Sequence, residues 1–175
     1  YNPGILDSFS YDGTIYGAPV LVASWLMFYN KPVFEQYGLS EPKTWDEFMS
    51  VCETLKSNGV TPIGFKIGGG WTSFFWFQQI LASNYPEAYY AVFQGEQSWE
   101  SEEVKKTFEI WKEMIDKGYF TDPGVDLGND IPPMFAKGEV AMTYCGDWYT
   151  AYFDAIELKG GEDYSMFVIP PYEQD

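Results

Sequence analysis

At 175 residues the chain has the length of one ordinary domain, with enough material for a substantial core. Its 26 acidic against 10 basic residues give a formal net charge of −16, which excludes a binder of phosphate backbones, since those are held by lysine and arginine. There is no histidine and there are two cysteines, Cys52 and Cys145, so histidine-based acid–base catalysis, Ser-His-Asp or Cys-His nucleophiles, and histidine or cysteine zinc sites are excluded.

Aromatic residues make up 20% of the chain, more than a core of this size needs. The surplus wraps the core, forms stacking surfaces or lies at an interface. No run of about 18 apolar residues is present to cross a membrane. Each cysteine sits in an apolar pattern and is read as a buried free thiol, with pairing left open.

In chain order, strands and helices alternate, which predicts an α/β layer architecture. A turn at residues 11–14 leads to a short strand at 15–16, then a long strand over 20–30 and a short helix over 31–37 closed by Gly38. Thr44 with Glu47 forms a capping box. The helix it starts carries Trp45, Phe48, Met49, Cys52 and Leu55 at a 3.6-residue period and ends at Asn58-Gly59. A short buried strand follows over 61–65. Residues 72–81 are apolar nearly all round and predict a buried helix. Another short helix covers 86–93. Ser101 caps a long helix with Val104, Phe108, Trp111 and Ile115 as its inner stripe and Gly118 as its stop. A helical turn over 132–137, a strand over 140–144, a helix over 149–158 and a strand over 165–169 complete the pattern. There is no interdomain linker, repeat or low-complexity segment.

Three stretches bear on chemistry. Gly64-Phe-Lys-Ile-Gly-Gly-Gly-Trp71 is glycine-rich, but its lysine precedes the glycines, the reverse of a phosphate loop. It reads instead as a sharp turn that presents Trp71 at a helix start, where free N–H groups can meet a ligand oxygen. Gly146-Asp147-Trp148 follows a buried strand, and the carboxyl ends of such strands line the crevice of open α/β sheets. There Trp148 offers a flat face to a pyranose ring and Asp147 accepts hydrogen bonds from hydroxyls; the alternative is that Trp148 packs inward with Tyr152. Asp126, Asp130 and Asp147 lie in or near predicted loops, where two opposed carboxylates would be needed for glycoside hydrolysis. The acidic stretch 122–130 lacks the ligand spacing of a calcium loop.

Gly13-Thr-Ile-Tyr-Gly-Ala-Pro-Val20 running into Tyr29-Asn-Lys31, then Pro-Lys-Thr-Trp-Asp-Glu-Phe over 42–48, then Lys137-Gly-Glu-Val-Ala-Met-Thr-Tyr-Cys-Gly-Asp-Trp148 occur in an order that closely resembles the extracellular solute-binding proteins of ATP-driven (ABC) sugar importers. The maltose-binding type is among them. The resemblance runs from about Tyr11 to Pro171. It implies a type II periplasmic-binding-protein-like fold, here the C-terminal lobe with a central mixed sheet flanked by helices. The lobe proper spans about 18–168, and 1–17 and 169–175 are hinge-proximal remnants of an N-terminal lobe that the chain lacks. It implies reversible capture of a carbohydrate, an oligosaccharide above all, by stacking and lobe closure. It implies no catalysis and no cofactor or metal. The implied partners are the sugar, the permease subunits and the other lobe, with no nucleic acid. The implied location is the outer face of the cytoplasmic membrane, lipid-anchored, or the periplasm, with a signal peptide upstream.

By the same resemblance, Trp148 is a sugar-stacking residue and Trp71 a second one. Gly146, Asp147, Ser24 and Trp25 complete the expected site. Ala23 stands where the maltose-binding type has an acidic sugar contact, which removes one hydroxyl partner and argues against maltose itself. The competing readings are a different solute, such as a peptide, polyamine or polyol, and a small glycoside hydrolase.

Overall fold

The computed structural model describes residues 3–68 and 70–172. The calls that fall on residues 1–2 and 173–175 therefore lie outside the described residues. Helix α1 (Pro3–Asp7) precedes a hairpin of β1 (Ser10–Tyr11) and β2 (Thr14–Ile15). Asp12 and Gly13, with φ of 48° and 71°, turn this hairpin in the left-handed region that two-residue hairpin loops require.

The body is built on a four-stranded mixed sheet in the order β4–β5–β3–β6. Its strands are β3 (Trp25–Asn30), β4 (Thr61–Gly64), β5 (Val140–Gly146) and β6 (Tyr164–Phe167). β5 runs parallel to β4 and antiparallel to β3, and β3 is antiparallel to β6. All seven residues of β5 are buried, the expected state of a strand with both faces covered.

The alternation along the strands sorts two cores. Met27, Ile63, Met142, Tyr144 and Phe167 point into one, with Phe48, Cys52 and Leu55 of α3 (Trp45–Ser57), Trp76 and Ile80 of α4 (Trp71–Asn84), and Ile110 and Met114 of α6 (Glu102–Asp116). Phe28 and Cys145 point into the other, with Ile131 and Phe135 of α7 (Ile131–Ala136), Tyr149, and Phe153 of α8 (Thr150–Asp154). Phe135 and Phe153 stack at 4.7 Å; burying each such ring contributes roughly 1.5–3 kcal/mol. A smaller cluster of Phe77, Leu81, Val92 and Val104 joins α4 to α5 (Pro86–Gln94) and α6. Gly64 lets these layers meet, because a Cβ there would fall 2.7 Å from Val140 Cγ1 and 2.8 Å from Ile131 Cδ1.

Local signals act close to where the sequence puts them. Asn30 caps α2 (Lys31–Gln36) by accepting the Val33 N–H, and its amide donates to the Phe135 carbonyl. Thr44 accepts the Glu47 N–H, while Glu47 reaches the N–H of Lys43 and not that of the cap residue.

Four expectations need correction. The strand expected from residue 20 begins only at Trp25: Val20, Leu21 and Val22 are 99%, 78% and 69% exposed and have no regular structure. Apolar character there is not matched by any covering layer among the described residues. In α6 the buried stripe is Val104, Thr107, Ile110 and Met114, whereas Phe108 and Ile115 are exposed. Thr107 can be buried because its hydroxyl donates to the Glu103 carbonyl, and Phe108 stacks flat on Phe77 at 4.6 Å from the rim. Ser101 precedes α6 without a side-chain capping bond. Helix α4 buries Trp76, Phe77, Ile80 and Leu81 but leaves Phe74 exposed, so it is not covered all round.

Candidate ligand-binding cleft

The antiparallel register of β3 and β5 pairs Trp25 with Gly146. That pairing brings the beginning of one strand to the end of the other, and with them Ser24, Trp25, Gly146, Asp147 and Trp148. Two hydrogen bonds close the corner: Asp147 N–H donates to the Ser24 carbonyl at 2.9 Å, and Ser24 N–H donates to Asp147 Oδ2 at 3.3 Å. Asp147 thus has a clip function that the sequence did not suggest.

Gly146 has φ −70° and ψ 159°, extended backbone open to any residue. Its need for glycine is steric. The Trp148 ring folds so close over it that a Cβ would lie 1.9 Å from Trp148 Cζ3. Trp148 sits in the single 3-10 turn Asp147–Tyr149 and keeps 37% of its surface exposed. It meets Trp25 edge to face at 5.3 Å and 87°. Trp25 in turn stacks on Phe75 of α4 at 3.9 Å and 17°. The three rings form an aromatic corner anchored on both sheet and helix.

A cleft of about 260 Å³ opens beside this corner. Trp148, Tyr149 and Tyr152 supply aromatic wall; Lys66, Thr72, Asp126 and Asn129 supply polar wall; Cys145 lies at its floor. Trp71 opens α4, and its side chain lies outside the described residues; its neighbours Gly70 and Thr72 line the cleft. The polar side is held by the loop before α7. Asp126 Oδ1 accepts from the N–H groups of Gly128 (3.1 Å) and Asn129 (2.9 Å) and from Asn129 Nδ2 (3.0 Å). Asp126 Oδ2 lies 3.8 Å from Lys66 Nζ. The backbone N–H bonds of Asn129 and Gly128 hold the Asp126 carboxyl below its ordinary range. Tyr149 O–H donates to the Leu127 carbonyl at 2.5 Å. Tyr152 packs on Gly128, where a Cβ would approach its ring within 3.0 Å.

Burial pushes the Cys145 thiol up to about 12, so it is not a thiolate nucleophile at neutral pH. Of the three carboxylates considered for hydrolysis, Asp126 lines the cleft and is held ionised, Asp130 accepts the Asp126 N–H, and Asp147 clips Ser24. A general acid needs a raised pKa, the opposite of what Asp126 has. Among the described residues no group of three or more Cys, Asp or Glu is placed to hold a metal ion. Sequence reasoning missed Lys66, Thr72, Asn129 and Phe75 as site residues. For Lys66 a signal was available: it follows a buried strand at its carboxyl end, the position already used to choose Asp147 and Trp148.

The model of the bacterial extracellular solute-binding protein family matches residues 1–175. The chain belongs to that family. An ABC transporter extracellular-binding protein of Pyrococcus horikoshii, described as uncharacterized, is 37% identical over 98% of this chain and 43% of its own length. A probable sugar-binding periplasmic protein of Mesorhizobium japonicum is 31% identical over 96% of this chain and 41% of its own. This solute-binding chain therefore spans less than half the length of these relatives. Among solved structures, a chitin oligosaccharide binding protein superposes with a TM-score of 0.77 at 25% identity, covering 95% of this chain and 43% of that one. The fold is α/β, a mixed sheet flanked by helices that matches part of a type II periplasmic binding protein.

Proposed function

We propose that this chain is the carbohydrate-gripping lobe of a solute-binding protein that delivers an oligosaccharide to an ABC importer. The observation that carries the reading is the aromatic corner: Trp148 seated on Gly146 and braced by Trp25 and Phe75 at the edge of a cleft with a polar far wall. A pyranose has one C–H face and a rim of hydroxyls, and such a cleft matches both. The sugar-binding descriptions of relatives point the same way.

The exposed apolar segment 20–22 fits a crossing to a second lobe, with the lobe proper at 18–168 as the sequence suggests. Closure of that lobe over the cleft, the hinge motion of binding proteins, would bury the ligand and signal occupancy to the permease outside the cytoplasm. Trp71 is assigned a second stacking position at the start of α4. Binding without turnover is the proposed activity.

The test is calorimetric titration of the protein and its Trp148→Ala variant against a panel of oligosaccharides. Binding of one glycan class is expected, with Kd rising tenfold or more in the variant, since a truncated aromatic anchor costs about 2 kcal/mol. A cooperatively folded protein that binds no sugar in the panel would remove carbohydrate from the reading. Turnover of any of these glycans would replace binding by hydrolysis.

A further inference from the structure

Helix α8 and the 3-10 turn before it carry two aromatic pairs, each one helical turn apart. Tyr149 and Phe153 are buried in the second core, where they meet edge to face at 5.1 Å. Trp148 and Tyr152 are 37% and 44% exposed, and both line the cleft. Residues four apart share one face of a helix, so these two rings lie together on the cleft side. The anchoring of α8 to the core is supplied by Tyr149 and Phe153. Tyr152 is left for another task.

Tyr152 is nevertheless held in place. Its ring lies on Gly128, where a Cβ would come 3.0 Å from Cε1 and 3.3 Å from Cζ and from the hydroxyl oxygen. Gly128 lies outside the left-handed region, so what it supplies is space and not backbone freedom. Its N–H is fixed on Asp126 Oδ1 at 3.1 Å, and Tyr149 supports the Tyr152 ring from beside it at 5.2 Å. Trp148 is treated in the same way by Gly146 at the end of β5. Both exposed rings of this face therefore rest on a missing Cβ, and the two seats come from separate segments.

We propose that Tyr152 is a further ligand-binding residue, a stacking platform one sugar unit along the cleft from Trp148, so that the site takes at least two consecutive pyranose rings. This rests on the carbohydrate reading above and deepens it. The Cβ atoms of such a pair stand about 5–6 Å apart, and an aromatic ring is about as broad as a pyranose. One sugar unit thus covers one platform, and a second unit is needed to cover the other. The flat body of the phenol, not its hydroxyl, carries the contact.

The test is calorimetric titration of the protein with sugars of one to four units: the β-1,4 series of glucose, xylose and N-acetylglucosamine, and the α-1,4 series of glucose. In at least one series affinity should rise roughly tenfold or more from one unit to two, the scale of a single aromatic anchor. Tyr152→Ala, and Tyr152→Leu with bulk but no flat face, should each cut that gain to about twofold or less. Tyr152→Phe, which loses only the hydroxyl, should retain it within about threefold. Thermal unfolding of each variant separates lost recognition from lost fold. Three results would overturn the platform and leave the carbohydrate reading standing: no gain from one unit to two in the parent, a gain that survives Tyr152→Ala or Tyr152→Leu, or a Phe variant as weak as the Ala variant. Failure of every series to bind would sink the reading and the platform together.

Discussion

Gly146 and Trp148 are a single device at the residue scale. The ring needs the absence of a Cβ two positions earlier in order to lie back against the strand end, and the backbone at Gly146 is ordinary extended chain. Gly146→Ala should therefore cost little in backbone strain. The added methyl would displace the ring, and the ring, 37% exposed, has solvent to move into. We expect a stability loss of about 1 kcal/mol or less together with a loss of ligand affinity that approaches that of Trp148→Ala. Thermal unfolding and calorimetric titration on the same sample check this. A variant that keeps full affinity would show that the ring position is irrelevant to binding. The residue pair was only half legible in the sequence: a Trp in a strand-end turn signals a stacking face, but nothing in Gly-Asp-Trp says that the glycine serves the tryptophan or that the aspartate clips Ser24.

The joints between elements are polar and local. Asn30 ends β3, caps α2 and ties α7 through the hydrogen bond its side-chain amide donates to the Phe135 carbonyl at 2.7 Å, all at 6% exposure. Asn30→Ala removes a cap worth about 1 kcal/mol and one buried hydrogen bond to the Phe135 carbonyl, a further ~0.5–1.5 kcal/mol, while that carbonyl keeps the Gly138 N–H at 3.0 Å. A total loss of roughly 1.5–2.5 kcal/mol in denaturant unfolding is expected. Ligand affinity should be unchanged, because Asn30 lies five residues along β3 from Trp25, roughly 17 Å at about 3.4 Å per residue. Reduced affinity in a folded variant would tie this end of the sheet to the cleft. Element identity was readable because periodicity and caps are local: Thr44, Gly38 and Gly118 mark ends that the structure keeps. What was not readable depends on neighbours far along the chain. The α6 stripe is set by which side α4 presents, so a self-satisfied Thr107 goes inside and Phe108 remains at the rim. Likewise the polar wall is assembled from Lys66, Thr72 and Asp126, which come from three separate segments, and only the sheet and its crossovers bring them together.

Titration sums such burial over the whole molecule, and here the sum has a sign. There is no histidine, so no imidazole titrates between pH 5 and 8. The groups that burial perturbs lie on the alkaline side: Cys145 is raised from 9.0 to about 12, and Cys52, Tyr119, Tyr144 and Tyr149 are all raised, with burial the leading cause in each. Each of these keeps its proton in the folded protein at a pH where the unfolded chain would lose it. The unfolded state therefore binds fewer protons, and stability must fall as pH rises. For Cys145 the contribution is intact below about pH 9 and is lost progressively toward about 12. Each group adds up to about 1.4 kcal/mol of destabilisation per pH unit within its window. Denaturant unfolding should thus show near-constant stability from about pH 6 to 8.5 and a steep decline above it. A decline that begins between pH 6 and 8 would contradict this account. Tyrosinate absorbance gives an independent reading on the native protein. At about pH 10.5, where a free tyrosine is mostly ionised, Tyr119, Tyr144 and Tyr149 should remain neutral and should ionise only in step with the unfolding transition, because the same burial that packs them against the sheet denies their phenolates water.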